Sequence, residues 1–304
     1  MDSTLVFKIL LSISCNGESC ELPPQDSWGF IDNHWVYKVT PGLKPAGSPA
    51  CPGGDMIEVK GSAARDVNMN PYGVRTIEYL QKTTCTKWIN KNFPERCAVF
   101  DQTKWEQIRS SLPRSDMHFC IDPYEWPNEI GAAPWIMVTW HEATKLCESK
   151  GKRLCTEDEW TFACEGEEVI PYPYGYERDP TKCNIDRQWI LYEGSKMIPR
   201  GTKKCGDEML RLWKGHASGA DPQCVSPFGA YDMTGNIDEW TVATRASKYP
   251  SILKGGYWGP VRSRCRPSTR NHDQNHSFYQ QGFRCCSDVK SAQTDTNYFQ
   301  PTSI

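Results

Sequence analysis

Three groups of side chains in this 304-residue sequence could do chemistry. His272 and His276 flank Asp273 in a polar stretch, and two imidazoles with one carboxylate are the ligand set of a non-haem iron site. Two of six histidines in such a stretch could equally be solvated surface. Arg262, Arg264, Arg266 and Arg270 form the second group. Guanidinium forks suit carboxylates, so they could recognise an anion, or they could pair internally with acidic helix starts near Glu142 and Glu157. Asp232 and Glu239 are the third, with Gly235 between them allowing a tight turn. Carboxylates and turn carbonyls supply the oxygens that a hard cation such as Ca²⁺ requires. Alternatively Asp232 caps a turn and Glu239 pairs with an arginine such as Arg284. Tyr257 and Trp258 could line a groove or enter the core.

Fifteen cysteines outweigh every other bulk signal. Metal sites show paired CxxC or Cys/His clusters, and this sequence has none; its close pairs are Cys15/Cys20 and Cys285/Cys286. Disulfides are the reading, and with them an oxidising compartment: secreted, periplasmic or cell-surface. A formal charge of −2 with mixed signs offers no field for nucleic acid or a membrane surface. The longest apolar stretch, residues 5–13, is broken by Lys8 and is too short to span a bilayer. It could be a signal-peptide remnant, and Ser12-Ile13-Ser14-Cys15 suggests a lipoprotein site whose use leaves fourteen cysteines; the alternative is a plain flexible leader.

The elements that must position these groups are short. Residues 1–50 read as a leader and Pro/Gly-rich arm, 51–290 as one domain, and 291–304 as a disordered tail. Twelve tryptophans among frequent Gly and Pro suggest many small elements joined by ordered loops. Two helices announce themselves. Thr139 with Glu142, and Thr156 with Glu159, have the form of capping boxes, in which hydroxyl and carboxylate satisfy each other's backbone donors. Ala143, Leu146 and Cys147 follow on one face and Gly151 ends that helix; Trp160, Ala163 and Cys164 follow the second, ended by Gly166. Cys147 and Cys164 therefore lie on buried stripes near helix C-termini, where a thiolate is disfavoured and a structural disulfide is suited.

Three ordered blocks resemble the formylglycine-generating-enzyme, or sulfatase-modifying factor, family. They are Val138-Thr139-Trp140-His141-Glu142-Ala143 with Gly151-Lys152-Arg153-Leu154; Phe228-Gly229-Ala230-Tyr231-Asp232-Met233-Thr234-Gly235-Asn236; and Gly255-Gly256-Tyr257-Trp258 through the arginine run to Gly282-Phe283-Arg284-Cys285. The resemblance implies an irregular, loop-rich α+β fold related to the C-type-lectin fold. It implies the disulfides Cys147–Cys285 and Cys164–Cys265, each closing a loop of over a hundred residues and adding about 4–5 kcal/mol in the chain-entropy model. Cys85–Cys97 and Cys205–Cys224 are further pairings to test. It also implies calcium on Asp232, the carbonyls of Gly235 and Ile237, and Glu239, with a second site starting at Asn184-Ile185.

The family's oxidases hold copper(I) with two cysteines just after the Gly-Gly segment, soft thiolates selecting that ion. Here the stretch from Gly255 has no cysteine before Cys265, and Tyr257 replaces the family's serine. Formylglycine generation by that route is not expected. Iron on His272 and His276 remains as a cofactor, although the family's iron enzymes take histidines from an extra helical domain that this chain lacks. Two readings stand. One is a divergent oxidoreductase, its weak catalytic candidates being His272, His276, Arg264 and Tyr257, acting on an exported peptide or small molecule. The other is a non-catalytic, calcium-stabilised binding or scaffold module, expected as a monomer with a peptide, protein or small-molecule ligand.

Overall fold

The computed structural model describes residues 42–66, 76–89 and 96–290, together with the backbone pairing of Cys15–Asn16 with Ser19–Cys20 and of Trp28–Ile31 with His34–Tyr37. The lipidation reading at Cys15 and the tail over 291–304 lie outside the described residues. In chain order come strand β1 (Ile57–Ala64), helix α1 (Thr76–Lys82), the pair β2 (Cys85–Trp88) and β3 (Cys97–Phe100), helix α2 (Gln102–Arg109) and strand β4 (Arg114–Ile121). Helix α3 (Trp140–Glu148), strand β5 (Arg153–Leu154) and helix α4 (Glu157–Glu165) follow, then helices α5 (Gly194–Met197) and α6 (Lys203–Leu212). Strands β6 (Asp238–Val242), β7 (Ser251–Lys254), β8 (Ser268–Thr269), β9 (Gln281–Phe283) and β10 (Cys285–Ser287) complete the α+β body.

Two four-stranded sheets organise it, in the orders β1-β4-β10-β5 and β8-β7-β6-β9. In the second, β6 runs parallel to β9 and antiparallel to β7. Helix α4 packs against strands of both sheets, which is why its apolar and acidic residues alike are buried. A buried carboxylate must be paired. Glu157 is met by Arg270 and Glu165 by Arg266, so these two arginines of the run serve as counter-charge to the helix. Glu142, the other acid considered for that run, is instead taken by Arg200 at 2.7 Å.

Both capping boxes are formed. Thr139 accepts from the Glu142 amide and Thr156 from the Glu159 amide, and each glutamate reaches back to its threonine's backbone. Three core clusters fill the body. Val59, Phe119, Ile121, Trp160 and Phe162 pack between the first sheet and α4. Trp126, Val138, Leu154, Trp240 and Phe283 pack beside α3. An aromatic group of Trp213, Tyr257, Trp258 and Tyr279 closes over α6.

Disulfides knit these parts together. Cys147 bonds Cys285, Cys164 bonds Cys265 and Cys85 bonds Cys97. Cys51–Cys120, Cys155–Cys286 and Cys183–Cys224 are further bonds. The expected Cys205–Cys224 bond is corrected: Cys224 takes Cys183, while Cys205 sits inside α6 with its thiol toward the Met197 carbonyl at 3.4 Å. Proximity in sequence misled here, because Cys205 lies on the apolar face of an amphipathic helix and behaves as a small hydrophobe.

Candidate functional site

The turn over residues 232–236 is tight enough that Asp232 and Asn236 both take left-handed backbone angles, φ 57° and 51°. Gly235 is left-handed too, and a Cβ there would lie 2.4 Å from the Asn184 carbonyl oxygen. The Asn236 amide donates to that same carbonyl at 3.0 Å. The two sets of residues nominated for calcium are thereby brought side by side.

Their electrostatics differ. Both Glu239 oxygens accept from Arg284, at 2.7 and 2.8 Å, and one also accepts from Trp160 at 2.9 Å. Glu239 thus has the arginine partner that was weighed for it. Asp232 is nearly as buried but has only a long 3.4 Å contact from the Gly219 amide. Burial, with Asp221 and Glu239 close by, pushes its carboxyl up to about 7 despite Arg284. Asn184 Oδ1 accepts from Arg187 Nε at 2.9 Å, so this oxygen already faces a cation.

Glu125, which sequence reasoning missed, joins the group. Its oxygens accept from Asn236 Nδ2 at 2.6 Å and from the Ile237 amide at 3.2 Å. Burial, then the Asp232 and Glu239 charges, raise it well above the usual carboxylate range. The available signal was a lone acid inside the aromatic run Tyr124-Glu125-Trp126, where only a buried partner makes a charge tolerable. Among these three acids Arg284 bonds Glu239, so the Asp232 oxygens keep acceptor capacity that fits a hard cation. Among the described residues no three His, Cys, Asp or Glu side chains converge as a metal set, so main-chain oxygens must complete any such shell.

The segment after β7 builds a different surface. Gly255 and Gly256 are both left-handed, φ 86° and 74°, and a Cβ on Gly256 would lie 3.0 Å from Ser263 Oγ. This turn folds residues 257–265 back along the body. Tyr257 and Trp258 go into the core, their rings 6.2 and 5.9 Å from Tyr279. Arg264 is wholly buried, donating to Gln81 Oε1 at 2.9 Å with its guanidinium 5.4 Å from the Phe100 ring centre. The two remaining catalytic candidates, His272 and His276, stack face to face at 3.9 Å and 19°. Imidazole lone pairs lie in the ring plane, so stacked rings do not aim at one ion. His276 Nδ1 meets Gln281 Oε1 at 3.0 Å, and Asp273 accepts from the Asn275 amide. These residues do not fit an iron triad. Burial, then the His276 and Arg262 charges, lower His272 to about 4.

Between these parts lies a cleft of about 480 Å³ lined by Arg96, Pro260, Val261, Arg262, Ser268, Thr269, Arg270 and Asn271. Arg178 fixes one wall, donating to the Val261 carbonyl at 3.0 Å while forking onto Asp186.

A family model described as the sulfatase-modifying factor enzyme 1-like domain matches residues 57–289. The chain belongs to this family. It is similar to the inactive C-alpha-formylglycine-generating enzyme 2 of Bos taurus, 31% identical over 167 residues, 51% of this chain and 50% of that protein. It is also similar to the formylglycine-generating enzyme of Bos taurus, 28% identical over 261 residues, 72% of this chain and 65% of that one. The chain spans about half the length of the first curated relatives it matches. Among solved structures it is similar to PvdO from Pseudomonas aeruginosa, with 15% identity, a TM-score of 0.44, and coverage of 82% of this chain and 99% of that one.

In this member of the sulfatase-modifying factor family, Pro260, Val261 and Arg262 occupy the stretch between the double glycine and Cys265. Cys265 is bonded to Cys164, and the stretch from Gly255 to Arg264 holds no cysteine. No two thiolates are on hand there, and a guanidinium stands where soft ligands are needed. The residues present do not fit copper(I).

Proposed function

We propose that this chain is a non-catalytic member of its family that is exported and works by binding. The observation that carries the reading is the Cys164–Cys265 bond, which removes the segment's sole cysteine and leaves Arg262 facing the cleft. A relative named as an inactive formylglycine-generating enzyme supports it. So does the inward turn of Arg264, one of the catalytic candidates, which is buried against Gln81. The disulfides support export, because reducing compartments rarely sustain them. Calcium at the Asp232 turn is part of the proposal: a cation there offsets buried carboxylates and clamps the turn, as a stabiliser and not a reactant.

The test is oxygen uptake with a cysteine-containing sulfatase peptide, with and without copper(I), beside metal analysis of the purified protein. Calcium without turnover is expected. Copper-dependent conversion of the peptide cysteine would overturn the reading and restore the oxidoreductase alternative.

A further inference from the structure

We infer that the arginine-lined cleft is a binding site for a tetrahedral oxyanion, carried as a sulfate or phosphate monoester on a small organic ligand. The inference rests on the binding-module reading and names the ligand class of that same cleft.

The lining carries three guanidiniums and no carboxylate. Arg96 comes from the residue preceding β3, Arg262 from the loop after β7, and Arg270 from just past β8, so donors enter from separate segments. Ser268, Thr269 and Asn271 add neutral donors between them. A planar carboxylate presents two oxygens along one edge, whereas a tetrahedral group presents oxygens in several directions, and this spread of donors suits the second. Of the two counter-charges, Asp186 is divided between arginines. Asp186 serves Arg178 at 2.7 Å and reaches Arg96 only at 3.4 Å, and Glu157 meets Arg270 through one guanidinium nitrogen. Arg262 forms no ion pair with a described carboxylate, although its charge opposes the rise to about 6 that burial gives Asp238. Three guanidiniums and three neutral donors, with no carboxylate in the lining, favour an oxygen-rich ligand.

Size sets the rest. A volume of about 480 Å³ falls among those that hold small organic molecules, well beyond the needs of a bare ion. Pro260 and Val261 give the ligand body an apolar wall.

The test is calorimetric titration at constant ionic strength with glucose 6-phosphate, glucose 6-sulfate, inorganic phosphate, inorganic sulfate and acetate. Saturable binding is expected for a monoester, at least tenfold tighter than for its inorganic ion and for acetate; the two sugars tell phosphate from sulfate. Arg262→Gln should weaken binding at least tenfold and Arg262→Lys should recover only part, since a point charge lacks the fork. Thr269→Ala is a second variant, and each is checked for intact disulfides by mass mapping. Acetate binding as tightly as the esters, an inorganic ion matching its monoester, or unchanged affinity in both Arg262→Gln and Thr269→Ala would each overturn the assignment. Oxygen uptake on the same samples separates the two claims. Turnover sinks the non-catalytic reading, whereas absent ester binding sinks the ligand class alone.

Discussion

Arg284 uses its whole guanidinium inside the protein, on both oxygens of Glu239 and on the carbonyls of Asp122, Pro123 and Tyr231. Neither Arg284 nor Glu239 reaches solvent, so removing one partner strands the other's charge. Glu239→Gln should cost about 3–5 kcal/mol, read by urea denaturation; a loss below about 1 kcal/mol would contradict the buried pairing. The neighbouring Asp232 has the opposite imbalance. Its folded pKa is about 7, above the ordinary carboxylate value, so the folded state holds the extra proton. The contribution is full below about pH 4 and is lost as pH rises through about 7. Chelated protein should therefore melt at progressively lower temperature from pH 5 to pH 8. Calcium should restore stability most at pH 8, by about 2.7 kcal/mol at a hundredfold excess over its dissociation constant. A chelator without effect at either pH, or an Asp232→Asn variant that responds to calcium like wild type, would remove calcium from this turn. At this scale the sequence displayed the Asp232 and Glu239 pair but hid Glu125, which meets Asn236 across 111 residues with no periodicity to link them.

Both capped helices were legible because a capping box is local chemistry, complete within four residues, and needs no tertiary partner. The strands were not. β6 buries Asp238, Glu239, Trp240 and Thr241 in succession, which erases the period-two alternation that marks a half-exposed strand. Several other strands span two or three residues, too short to carry any pattern. Thr156 both caps α4 and holds Glu159, which also forks onto Arg153 at 2.6 and 2.8 Å. Thr156→Ala should cost about 1–2 kcal/mol in thermal or chemical unfolding, with Thr156→Ser recovering most of it. Equal losses in both variants would show that the methyl group, not the cap, matters. Gly235→Ala is expected to be worse than a simple loss of backbone freedom, because its methyl group meets the Asn184 carbonyl and the Ile185 side chain. Calcium response and stability should fall together in that variant.

Across the whole molecule, three ordered sequence blocks conveyed the family and the α+β body, and the resemblance they carry implied the long-range bonds Cys147–Cys285 and Cys164–Cys265. Cys155–Cys286 escaped notice because Cys286 follows Cys285 in β10, and adjacent strand residues face opposite sides. One three-residue strand is in this way bolted to α3 on one side and to the start of the α4 segment on the other. Cys164–Cys265 and Cys183–Cys224 nest inside those loops. A protease entering at the exposed Leu191 or Ile198 would therefore sever the backbone without releasing a fragment. The nicked protein should run as one species on a non-reducing gel and part into two bands only once thiol is added. A molecule so laced can be cut once and still keep the residues around its cleft in one piece.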